Sequence, residues 1–181
     1  SVLLDQEKTL LDSLYEQKIQ LEAKRKQIDQ MIASLETAID IHEKSKTVEP
    51  VSLLIVIHSI LTMDEQKKFL KQYISEELIN QLYAYFDNNF VELNRKYIEY
   101  THQIKQAFVK PIHDDELKQL ILNYLGLIPR DLALQIATQM QNINVKDIDY
   151  WLFTPLFSEE EEHWLTEQME RLNLDEVFEN E

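Results

Sequence analysis

A heptad stripe runs from Leu4 to Ile39, and it restricts what this chain can become more than any other feature. With Leu4 taken as an a position, the a residues are Leu4, Leu11, Lys18, Arg25, Ile32 and Ile39, and the d residues are Glu7, Leu14, Leu21, Ile28 and Leu35. Eight of these eleven are apolar, and neither Gly nor Pro interrupts the run. A seven-residue repeat of this length specifies a helix that supercoils with another helix. Such a stripe needs a partner, which is either a second copy of the chain or the remainder of this one folding back. The eight apolar positions (Leu4, Leu11, Leu14, Leu21, Ile28, Ile32, Leu35 and Ile39) are the expected dimerisation seam. Lys18 and Arg25 at a positions either fix register and partner choice at a cost in stability, or snorkel outward on their long stems. The helix is expected to reach about Lys46, and at ~1.5 Å per residue it would be ~65 Å long.

The remainder points to an all-α chain. It holds a single glycine, Gly126, and four prolines in 181 residues, which leaves few connections, and it has no strand pattern and no internal repeat. Hydrophobic content of 44% with 28% charged residues separates it from disordered and membrane-embedded chains. The expected organisation is a coiled-coil helix over residues 1–46 followed by a compact helical domain over 51–181. Cysteine is absent, so there is neither a disulfide framework nor thiolate chemistry, which suits a reducing cytoplasmic setting. Net charge is -15. It is concentrated downstream: residues 1–50 carry 7 Lys/Arg against 10 Asp/Glu, and residues 51–181 carry 11 against 23. An acidic body is repelled by phosphate backbones, so direct nucleic-acid binding by this segment is not expected. No apolar run approaches the ~18–20 residues that span a bilayer. The longest, Leu53 to Ile57, reads as buried core. No signal-peptide pattern is present. The chain opens at Ser1, almost inside a helix, and is expected to be the C-terminal part of something longer.

Local signals divide the downstream part. Pro50 breaks the first helix, and a short apolar helix, Val51–Leu61, follows. Thr62-x-x-Glu65 reads as a capping box opening a helix at Met63. Ser75, followed by Glu76 and Glu77, caps the next. Its apolar stripe (Ile79, Leu82, Phe86, Phe90, Leu93, Tyr97, Ile104 and Phe108) predicts one continuous helix to about Lys110, ended by Pro111. His113-Asp114-Asp115 opens a helix that stops at Gly126, Pro129 starts another to about Gln141, and a short segment lies near Asp147–Phe153. Ser158 caps the last helix, with four glutamates at its positive end, and the tail 175–181 is expected to fray.

Catalytic and cofactor signatures are missing. There is no Gly-rich phosphate loop, no nucleophile elbow and no Cys/His cluster, so the chain reads as a non-enzyme without cofactor or metal. Glu99-x-x-His102 and Glu160-x-x-His163 have the spacing of di-iron carboxylate bundles, but the second glutamate is accounted for by helix capping and neither pair falls clearly on a core face. His58, within an apolar run, reads as a core histidine. The aromatics offer the stronger lead. Small-molecule sites are mostly apolar with a few polar tips. Phe86, Phe90 and Tyr97 fall on the apolar stripe and read as core. Tyr85 and Tyr100 fall off its centre, and Trp151 and Trp164 sit in a second aromatic cluster with Phe153 and Phe157. These four, Tyr85, Tyr100, Trp151 and Trp164, are the candidate ligand-binding residues.

A dimerisation helix over Leu4–Ile39 leading into a compact helical body resembles the C-terminal half of MerR-family transcription regulators. The downstream part looks like the helical effector domain of their thiostrepton-induced (TipAS-like) branch. The stretches carrying the likeness are Leu61 to Phe69, Ser75 to Phe90, and Pro155 to Leu165. The resemblance implies a homodimer through an antiparallel coiled coil, a ligand-sensing pocket among the helices, and DNA binding only through a domain outside this chain. The ligand would be a hydrophobic small molecule, with cations among the candidates given the acidic body. The rival expectation is a helical coiled-coil adaptor that binds no small ligand; a ferritin-like metal enzyme using the two Glu-x-x-His pairs is the third.

Overall fold

The computed structural model describes residues 2–45, 50–141, 143 and 148–174, with the side chains of 2–9, 41, 44 and 45 outside that description. Leu4 is therefore placed only as a helical residue, and Asp147 and the tail 175–181 lie outside the described residues. Eight helices and no strand are found among the described residues: α1 (Val2–Ser45), α2 (Pro50–Leu61), α3 (Met63–Leu70), α4 (Glu76–Asn88), α5 (Phe90–Val109), α6 (Asp114–Leu125), α7 (Arg130–Met140) and α8 (Glu159–Arg171).

The body does fold back on α1, but not on the apolar seam. The C-terminal half of α1 packs on α5 and α2 mainly through small and polar residues: Gln30, Ser34 and Ala38 are buried, and Gln27, Met31, Ala33 and Thr37 half-buried. At about 100° per residue, this face lies roughly 140° around the helix from Ile28, Ile32, Leu35 and Ile39. Those four are 44–57% exposed, and Leu11, Leu14 and Leu21 are 51–65% exposed. Small residues let α1 approach α5 closely and leave the seam bare along its described length.

Three hydrophobic clusters are found among the described residues. One joins α3, α4 and α7 through Leu70, Ile74, Leu78, Ile79, Leu82, Tyr83 and Leu132. The other two lie between α5 and α6, one of Ala107, Leu117, Ile121 and Leu174 and one of Ile104, Leu120 and Phe157, and the half-buried Trp164 and Leu165 of α8 pack against both. No single described helix is long and apolar enough to cross a membrane; α6 and α7 pass a length-and-composition test only as a pair bent by 72°, and both bury residues in these clusters.

Helix ends show where local chemistry acts. Ser75 accepts from the Leu78 amide, and Ser158 with Glu161 forms a complete capping box. The α8 C-terminus closes by the Schellman arrangement: Leu174 N–H donates to Met169 O and Asn173 N–H to Glu170 O, with Asn173 left-handed at φ 54°. Leu174 is fully buried against α6. Gly126 ends α6 at φ −74°. That conformation is open to any residue, and a Cβ there would stand 3.1 Å from Leu122 O, a tight contact.

Three expectations are corrected. The stretch expected to be one helix from Ser75 to Lys110 is two, parted at Asn89 (φ −117°, ψ 15°). The Asn89 side-chain amide donates to Tyr85 O at 2.8 Å, the local competition that makes asparagine a poor helix interior. Thr62 forms no capping box: its hydroxyl turns back to His58 O at 2.9 Å, and its own N–H donates to the same carbonyl, so α2 runs almost directly into α3. The apolar run Leu53–Ile57 is not buried core. Leu54 is 63% exposed and the other four are half-buried, while the fully buried α2 side chain is Ser52.

Candidate functional site

The break at Asn89 gives α4 and α5 different directions, and the pocket lies where both border α2. A cavity of about 500 Å³ lies there, within the range of small-molecule sites. Ile55, Val56 and Ile60 of α2, Met63 of α3, Phe86 of α4 and Phe90, Leu93 and Tyr97 of α5 form its apolar wall, with Tyr124, Ile128 and Ala133 opposite. The break at Asn89 places Phe86 and Phe90 on separate helices facing one space.

Few polar groups reach this wall, and most are engaged. Gln66, 6% exposed, donates through Nε2 to Leu152 O at 2.9 Å and to Thr62 Oγ1 at 3.2 Å, while its Oε1 accepts from Tyr83 OH at 3.2 Å. Burial, reinforced by the negative charge of Asp64, pushes the Tyr83 hydroxyl up to about 12, so it remains a neutral donor. Lys67 Nζ stands 4.5 Å from the centre of the Tyr83 ring. Burial likewise raises Tyr124, with Glu162 adding to it.

The opposite rim joins the cavity to α1. Asp87 lies on the wall, and its carboxylate accepts from Lys26 Nζ at 2.6 Å and from Gln30 Nε2 at 3.2 Å. One turn further along α1, Ser34 Oγ donates to Gln30 O at 2.9 Å and accepts from Asn94 Nδ2 at 2.8 Å. Asn94 is also on the wall and is 6% exposed. Because the Ser34 hydroxyl spends its hydrogen on Gln30, the amide of Asn94 must present its NH₂ to Ser34. Its Oδ1 is then left as an acceptor, buried and without a partner among the described residues. Thr101 Oγ1 and His102 Nε2 are also buried without partners, but neither residue lines the cavity.

The four aromatic candidates lie elsewhere. Tyr85 is half-buried and its hydroxyl donates to Leu127 O at 3.0 Å. Tyr100 packs beside Ile104, Leu120 and Phe157. Trp151 is 63% exposed, edge-on to His58 at 5.2 Å, and Trp164 meets Phe108 at 5.6 Å. None of the four lines the cavity; Tyr100 and Trp164 pack against one cluster, Tyr85 against another. The residues that do line it include Phe86, Phe90 and Tyr97, whose stripe positions suggested core. No helix pattern by itself signals a space between helices; the adjacent Asn88-Asn89 pair was the available hint.

The Glu-x-x-His spacings form no metal centre among the described residues, where no group of three or more His, Asp or Glu side chains converges. Glu99 pairs with Arg95 at 3.3 Å, and His163 Nε2 meets Glu167 at 3.2 Å on an exposed face. Comparison of the chain with protein-family models, curated proteins and solved structures finds no match.

Proposed function

We propose that this chain is the dimerisation and small-molecule effector-sensing region of a MerR-like transcription regulator, acting on DNA through a domain outside it. One observation carries the reading: the apolar cavity has a polar rim, Asp87 and Asn94, bonded directly to Lys26, Gln30 and Ser34 of α1. A ligand that favours one arrangement of this rim biases the position of α1, and a second copy seated on the bare seam carries that bias onward. The mechanism is population shift, limited to the ligand's differential affinity for the two arrangements. The exposed seam would serve a helical adaptor equally well. The open apolar pocket favours sensing, because small-molecule sites are mostly apolar recesses and an adaptor has no use for one.

The test is calorimetric titration with p-octylphenol, an apolar molecule of suitable size. Saturable binding is expected, and Ala133→Phe, which fills the wall while keeping α7 helical, should abolish it. Binding unaffected by Ala133→Phe would place the ligand elsewhere and refute the site.

A further inference from the structure

We propose that the cavity takes an unbranched hydrocarbon chain of about eight to ten carbons and leaves the polar head of its ligand at the mouth. This rests on the reading of the cavity as an effector site and deepens it by naming the ligand class. Phe90, Leu93 and Tyr97 line the cavity as a row along α5. Phe90 and Tyr97 are seven positions apart, which is ~10.5 Å of helix. Ile55, Ile60 and Met63 make a second row of similar length, because α2 runs almost directly into α3. Two such rows form a trough, and length is the dimension they fix. Tyr97 and Tyr124, with rings 6.5 Å apart, stand together at the far end of the α5 row. Carbon–carbon bonds of ~1.5 Å advance an extended chain by ~1.25 Å each, so about eight to ten carbons match the trough.

The place of the head follows from the amides and the carboxylate on the wall. Gln66 is spent on Leu152 O, Thr62 and Tyr83. Asp87 is held by Lys26 and Gln30. Asn94 is tied to Ser34, and its remaining oxygen has no surface open to water. A head carried inside would give up its water without gaining these groups. The cavity is open to solvent, so a head left at the mouth stays hydrated while the chain alone supplies the binding energy. Affinity then follows chain length and is indifferent to the chemistry of the head.

The full chain is titrated by calorimetry with the n-alkanols from hexanol to dodecanol, and with octyl β-glucoside below its micellar concentration. Affinity is expected to rise about fourfold per added carbon up to nonanol or decanol, and by less than about twofold per carbon beyond. Octyl glucoside should bind within about threefold of octanol, because both heads remain in water. Ile55→Trp fills one end of the α2 row, and the break should move about two carbons shorter, with far-UV circular dichroism confirming the fold. If that variant does not fold, the wild-type break and the octanol–glucoside comparison decide. A rise that continues unbroken through dodecanol, a glucoside more than about tenfold weaker than octanol, or a break unmoved in folded Ile55→Trp overturns this assignment while leaving the effector reading intact. So does saturable binding of p-octylphenol with none of the alcohols. Saturable binding of neither overturns the effector reading itself.

Discussion

Replacing Gln66 with leucine tests how the cavity wall is held. The Gln66 amide ties three segments: it donates to Leu152 O in the stretch before α8, donates to Thr62 at the α2–α3 junction, and accepts from Tyr83 of α4. Leucine fills similar volume, so the packing loss is small. What is lost is the partner of a buried carbonyl and of a buried hydroxyl, at about 1–3 kcal/mol each. The Thr62 hydroxyl keeps its bond to His58 O, and the Tyr83 hydroxyl can rotate toward the cavity, which places the total at about 2–4 kcal/mol. Urea denaturation followed by far-UV circular dichroism reads this as a lower midpoint at unchanged slope. Tyr83→Phe alone should cost about 1 kcal/mol, and the double variant should cost less than the sum of the singles, because both remove the same bond. A loss below about 0.5 kcal/mol for Gln66→Leu, the usual range of an inconsequential surface change, would refute the reasoning: the amide would then be decoration.

Two further predictions follow from local chemistry. The Tyr83 hydroxyl titrates near 12 in the folded chain because burial disfavours its anion, against about 10 when unfolded. A raised folded value means full stability below pH ~10, lost as pH climbs from ~10 toward ~12; alkaline unfolding should show this loss, and Tyr83→Phe should flatten it. At the α8 C-terminus, Asn173 holds φ 54°, so Asn173→Val should lower stability by about 1–2 kcal/mol, measured by thermal unfolding, with Asn173→Gly neutral or better.

What could be read from residues alone depended on whether the cause was local. Ser75 and Ser158 were legible as caps, because a hydroxyl and the amides it satisfies lie within three residues. Pro111, Gly126 and Pro129 were legible as boundaries for the same reason. The split at Asn89 was not, since the apolar stripe stays in phase across it and only the Asn89 amide reaching Tyr85 O decides the matter. Thr62-x-x-Glu65 has the pattern of a capping box, yet the hydroxyl found a nearer acceptor in His58 O. The cavity was illegible because it belongs to no single element. Phe86, Phe90 and Tyr97 have the spacing of core residues, and only the meeting of several helices shows that they border a space. The face by which α1 joins the body was also hidden, because Gln30, Ser34 and Ala38 carry no hydrophobic signal; the conspicuous stripe on the other side is the one left bare.

That bare stripe bears on the account most directly, and sedimentation equilibrium of the chain at micromolar concentration is the measurement to make. Ile32 and Leu35 are 48% and 44% exposed. Burying the exposed half of each against a second copy is worth about 1 kcal/mol per side chain. The pair of substitutions Ile32→Ser and Leu35→Ser, counted in both copies, should therefore weaken association by about 4 kcal/mol, roughly a thousandfold, while the circular dichroism of the body stays unchanged. The account predicts a dimeric wild type and a monomeric, folded double variant. A wild type that sediments as a monomer, or a double variant that remains dimeric, would contradict it.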